Sequence, residues 1–183
     1  MKQWEFILSG SGGQGLVLAG LVLAEGAVRA GKNVIQTQSY GPEARGGASR
    51  AEVIISDGDI DYPKVVRPDL LLAMSQEAYD RYGPLAYASG ALVLVDQEFV
   101  QDFSRERDRV VALPLTSAAA EKIGKALVAN MVALGAVMAL TRVFPSHHLE
   151  AALLSRVPLG SEELNLKAFH LGWEMAEAAR TGR

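Results

Sequence analysis

Gly10-Ser11-Gly12-Gly13-Gln14-Gly15 constrains this chain more than any other stretch, because it satisfies G-x-G-x-x-G between an apolar run and an apolar helical pattern. The run before it, Trp4-Glu5-Phe6-Ile7-Leu8-Ser9, predicts a buried strand. The stretch from Gln14 to Ala30 predicts a helix, stopped by Gly31. Glycines at such a junction admit positive φ and close backbone approach, so amides at the helix start face an anion with no side chain in the way. The nicotinamide version of this motif also needs a carboxylate at the tip of the second strand. That strand reads Asn33-Val34-Ile35-Gln36-Thr37-Gln38-Ser39 and holds no acid, so only Gln36 or Gln38 is left to bond a sugar. No Gly-Lys-Ser/Thr follows, so the P-loop form fails as well. Two readings stand: an anion cradle, or glycines that only let strand and helix pack closely.

The remaining pattern alternates. Ser49 to Asp59 predicts a third strand ending in a turn, and residues 69–75 and 91–96 are near-continuous apolar runs of the kind covered on both faces. A short helix connects those two, and another strand falls near 109–113. From Ser117 the period turns helical, with helices near 117–142 (broken about Gly124), 146–155 and 161–180. This order implies an α/β fold: a doubly wound, Rossmann-like, mostly parallel sheet of five or six strands flanked by helices, with a helical C-terminal part. No repeat or linker interrupts it, so residues 1–183 are expected to form one domain.

A second glycine-rich loop, Tyr40-Gly41-Pro42-Glu43-Ala44-Arg45-Gly46-Gly47-Ala48-Ser49-Arg50, begins where the second strand ends. In a doubly wound sheet that edge also carries the first glycine loop, so both are expected to open into one crevice. Arg45 offers a planar fork for phosphate or carboxylate, Gly46 and Gly47 bare amides beside it, and Tyr40 stands at the entrance for ring stacking or turn packing. Ser75, Gln76 and Asp96 follow apolar strands at the same edge; for Asp96 a capping role outweighs a general-base role. His147 and His148 diverge on a helix start and lack a third metal ligand, and His170 with Trp173 packs a helix face.

Composition narrows the function. With no cysteine among 183 residues, disulfide scaffolds, thiolate-bound zinc or iron–sulfur clusters and thiol catalysis are excluded. A net charge of −3 with 7% aromatics gives no attraction for a phosphate backbone, so no nucleic-acid partner is expected. The uncharged run Phe6–Ala24 is broken by glycines and Ala126–Thr141 is too short to span, so no membrane segment is expected and the location reads as cytoplasmic. The helix from Gln14 to Ala30, charged only at Glu25 and Arg29, and the uncharged Ala126–Thr141 lack a wet face, which predicts a partner chain covering their outer sides.

The two glycine loops together, about 25 residues apart, resemble the gamma subunit or gamma domain of the 2-oxoacid:ferredoxin oxidoreductases, the pyruvate, 2-oxoglutarate and branched-chain ketoacid enzymes. The indolepyruvate enzyme's smaller subunit is similar. The likeness continues through Arg67-Pro68-Asp69-Leu70-Leu71-Leu72, Asn130-Met131-Val132-Ala133-Leu134-Gly135 and Asn165, Phe169 and Gly172, nearly the whole chain. It implies a non-redox subunit without catalytic or metal-binding residues of its own, inside a complex that decarboxylates a 2-oxoacid to acyl-CoA. Thiamine diphosphate, magnesium and iron–sulfur clusters would then sit on alpha and beta partner subunits, with a delta or ferredoxin-like chain as a further candidate partner. By residue match, Gly10, Ser11, Gly12, Gly13, Gln14, Gly15, Tyr40, Arg45, Gly46 and Gly47 become the expected coenzyme A or subunit-contact positions. An isolated chain leaves self-association into a homo-oligomer open. The competing readings are a free-standing NAD or NADP dehydrogenase and a scaffold whose loops bind no ligand.

Overall fold

Each apolar run becomes a strand of one six-stranded sheet in the computed structural model, which describes residues 2–39, 48–103 and 109–181. In chain order the elements are β1 (Gln3–Ser11), α1 (Leu16–Arg29), β2 (Asn33–Ser39), β3 (Ala48–Ser56), β4 (Leu70–Ala73), α2 (Gln76–Ser89), β5 (Leu92–Asp96) and β6 (Val110–Leu113). Then come α3 (Leu115–Ala118), a π-helical turn (Ala119–Ile123), α4 (Ala129–Thr141), α5 (Ser146–Arg156) and α6 (Glu162–Thr181). Gly124, at φ 85°, separates the π turn from α4, which is the break expected there.

The strand order is β2-β3-β1-β4-β5-β6. β4 lies parallel to β1, β5 to β4 and β6 to β5, but β3 runs antiparallel to both β1 and β2. Five strands therefore share a direction and one is reversed. Only the eight residues 40–47 join β2 to β3, too few for a helical crossover, so the pair closes as a hairpin and β3 inserts between β1 and β2.

Alternate residues of β1 feed two cores. Phe6 and Leu8 join the cluster under α1 and α4, while Ile7 joins the cluster under α2. α2 is capped by the Ser75 hydroxyl, which accepts from the Ala78 amide, and ends at left-handed Gly90.

The expectation that a partner chain covers the outer sides of the uncharged helices is corrected. Every residue from Ala129 to Ala139 of α4 is buried within this chain, because α6 forms an additional layer over it. The two helices meet through glycines: a Cβ on Gly135 would stand 1.9 Å from the Phe169 carbonyl oxygen, and one on Gly172 would stand 1.8 Å from that of Val132. α5 covers α1 in the same way, across Gly26 and Leu149. The C-terminal helices supply the cover that the uncharged faces demand.

Candidate functional site

β1 is followed by a helix on one face of the sheet and β4 by a helix on the other, so the carboxyl ends of these neighbouring strands form the topological switch point where doubly wound sheets bind ligands. The glycine motif lies there. Gly13 has φ 89° and Gly15 has φ 73°, values that L side chains rarely adopt, and Gly15 opens α1 without a side-chain cap.

Gln14 does not face outward. Its side-chain oxygen accepts from the Ser11 amide at 2.7 Å, and its side-chain nitrogen donates to the Met74 carbonyl at 2.9 Å, lacing β1's loop to the end of β4. Gly10 makes room for it: a Cβ there would stand 2.2 Å from the Gln14 oxygen. The amide of Ser11 is thus spent inside the chain. Ser11, Gly12 and Gly13 stay exposed, and a Cβ at Gly12 or Gly13 would meet nothing within 4 Å. Behind them Asn130 donates to the Gly15 carbonyl at 3.1 Å, and its own side-chain oxygen accepts from the Met131 amide at the start of α4. Nothing in the periodicity marked Asn130 as part of this edge; a lone amide in a charge-free run was the available signal.

Beside Gly13 and Gln14 opens a cleft of about 260 Å³, lined by Met74, Phe99, Thr116, Ala126, Leu127 and Ala129. Phe99 and Leu127 are exposed at its rim (45% and 79%), large apolar surface at an open edge.

Tyr40, Arg45, Gly46 and Gly47 lie outside the described residues. The strand residues flanking them are clear: Ala48 pairs with Ser11 and Ser49 with Gly10, so β3 starts directly beside the first glycine loop. Ser9 and Ser49 lock this junction, each hydroxyl donating to a carbonyl across the strand pair. Arg50 lies 3.3 Å from Glu52 and over the Tyr82 ring.

The other candidates have structural employment. Asp96 is fully buried and accepts from the Thr116 amide and hydroxyl and from the Glu98 amide, which caps the turn into α3. Ser75 caps α2, and the Gln76 side chain holds the chain at residues 101–102. The rings of His147 and His148 lie 4.0 Å apart, tilted by 40°, and among the described residues no group of three metal-ligating side chains occurs. No helix among them is long and apolar enough to cross a membrane.

β3's insertion bears on the dinucleotide reading. Gln36 and Gln38 stand two strand spacings from β1, roughly 10 Å, where a ribose-binding side chain would need to be on the adjacent strand.

The sequence and the fold match a known family. The family model for pyruvate ferredoxin/flavodoxin oxidoreductase matches residues 5–175. The 2-oxoglutarate synthase subunit KorC of Methanocaldococcus jannaschii is 48% identical over 176 residues, covering 94% of each chain. The crystal structure of a keto/oxoacid ferredoxin oxidoreductase gamma subunit from Geobacter sulfurreducens superposes with a TM-score of 0.87 at 45% identity, over 98% of this chain and 99% of that one. A 2-oxoglutarate:ferredoxin oxidoreductase from Magnetococcus marinus shares the fold, with a TM-score of 0.83 at 24% identity over 97% of this chain and 32% of that one. The chain belongs to the pyruvate ferredoxin/flavodoxin oxidoreductase family. Within it, this is a gamma subunit of the 2-oxoacid:ferredoxin oxidoreductases.

Proposed function

We propose that this chain is the non-redox gamma subunit of a cytoplasmic, thiamine-diphosphate-dependent complex that oxidatively decarboxylates a 2-oxoacid to acyl-CoA and passes electrons to ferredoxin. Its role is to shape the coenzyme A site and the surface that meets the alpha and beta subunits. The KorC likeness favours 2-oxoglutarate as the oxoacid. One sheet carries both cores, which supports reading residues 1–183 as a single Rossmann-like gamma domain. The chain has no cysteine to ligate a cluster, so the iron–sulfur centres belong to partner chains, as thiamine diphosphate and magnesium do on this reading.

The observation that carries the coenzyme A part is the exposed Gly12–Gly13 backbone directly beside an apolar cleft. Coenzyme A is a phosphate-rich head on a largely apolar arm, and this edge offers both surfaces: backbone amides free of side-chain cover, and Met74, Phe99 and Leu127. When bound, coenzyme A supplies the thiol that accepts the acyl group. The residues here hold and orient it and perform no step of the chemistry. The free-standing dehydrogenase reading gives way, because the strand next to β1 is the reversed β3.

Gly12→Phe in the assembled complex tests the reading cleanly. The position is open, and its φ is not left-handed, so the fold tolerates the ring. The expected result is a rise of about tenfold or more in KM for coenzyme A with KM for the oxoacid unchanged, about 1.4 kcal/mol of binding. An unchanged KM for coenzyme A refutes the ligand site and leaves subunit contact as the loop's role.

A further inference from the structure

We propose that the opposite, amino edge of the sheet carries a second anion site, a groove that takes a phosphate-bearing small molecule with a planar ring, as in a nucleotide. Two adjoining hollows of about 120 and 730 Å³ share Lys32, Arg142 and Val143, so they form one continuous groove. Its volume suits a ligand of that size. The chain has two tryptophans, and both line it: Trp4 in the smaller hollow, Trp173 in the larger. Lys2, Lys32, Arg142 and His148 line it too, a concentration of basic groups in a protein of net charge −3.

The counter-charges do not neutralise it. Lys32 pairs with Asp57, and Arg142 donates to Glu177 at 2.8 Å. Glu177 is itself divided between two guanidiniums, since Arg180 stands 3.3 Å away. The Lys2 ammonium rests over the Trp4 ring at 4.3 Å. Among the residues that line the two hollows, Lys2, Lys32 and Arg142 face one carboxylate, Asp57.

The backbone adds a separate observation. Arg142 ends α4 at φ 46°, ψ 40°, and is the only non-glycine residue with positive φ among those described. Glycine is the usual occupant of such a position, so this chain holds an arginine in a strained conformation at the wall of the groove. Attraction to the helix C-terminus accounts for a cation there, but asparagine or glycine would end the helix without strain. A planar fork beside a half-buried indole edge suits a phosphorylated ring compound.

Because Trp4 and Trp173 are the only tryptophans, intrinsic emission reads this groove directly. The full chain is titrated at low salt with inorganic pyrophosphate and with ADP. Saturable quenching is expected for both, tighter for ADP, and weakened by added salt. Arg142→Gly relieves the left-handed strain and keeps the fold, and it is expected to raise the dissociation constant about tenfold, as is Lys32→Ala. Lys122→Ala, an exposed cation in the π-helical turn at the other edge, is expected to change nothing; an equal loss there would reduce the effect to general charge and overturn the proposal. The absence of saturable quenching, or Arg142→Gly titrating like the parent, would also overturn it. Equal affinity for pyrophosphate and ADP would overturn the assignment of a ring-bearing ligand.

Discussion

Gly135 and Gly172 interlock: each lies where a single methyl group would strike a main-chain carbonyl of the opposing helix, 1.9 Å from Phe169 O and 1.8 Å from Val132 O. Backbone cannot move aside as a side chain does, so α4 and α6 would have to separate. Gly135→Ala and Gly172→Ala are each expected to cost about 3 kcal/mol or more in urea unfolding. Gly83→Ala in α2, where a Cβ meets only ordinary contacts from 3.6 Å, is expected to be neutral or to stabilise by up to about 1 kcal/mol. Equal costs at the two kinds of site would refute the close-crossing account.

Gln14 is expected to be structural first. Replacing it with alanine frees the Ser11 amide and strands the Met74 carbonyl, at a cost of about 1–3 kcal/mol by chemical denaturation. Glutamate would keep the bond from Ser11 but turn a carboxylate oxygen on the Met74 carbonyl, so it is expected to be no better than alanine.

Glu25 makes stability depend on acid. The Arg156 guanidinium, then that of Arg29, holds its carboxyl down at about 2, from an ordinary value near 4.5. The folded value lies below the unfolded one, so this contribution is complete above about pH 4.5 and fades as pH falls toward 2. Urea midpoints measured across that window should fall more steeply for the parent than for Glu25→Gln. Parallel curves would show that the ion pairs of Glu25 with Arg156 and Arg29 contribute nothing.

Asp96 separates a structural carboxylate from a chemical one. Asp96→Ala leaves the Thr116 and Glu98 amides without their acceptor, and a loss of about 3 kcal/mol is expected. In the assembled complex, the pH profile of turnover should keep its shape with Asp96→Asn. A shifted profile would give Asp96 a part in proton transfer.

Much of this molecule could be read from residues alone because its signals are local. Strand, glycine loop and helix from Gln3 to Arg29 follow from apolar runs and punctuation, and the break near Gly124 follows from one left-handed glycine. Pairing direction was harder: β3's apolar content says strand, and only the shortness of residues 40–47 reveals that it must double back. The cover over α4 was hidden for a different reason. A charge-free helix demands burial without naming what buries it, and α6 lies more than twenty residues further along. At the glycine loop, residue type marked the place but not the deployment, since Gln14 turns inward through contacts to Met74, sixty positions away.

The layering of α6 over α4 has a consequence for biosynthesis. Residues 129–139 emerge from the ribosome well before the helix that shields them, so each nascent chain passes through an interval with an oily segment bare to solvent. Slow translation or premature termination within 140–161 would lengthen that interval, making the unfinished polypeptide a client for chaperones before any sister subunit can recognise it.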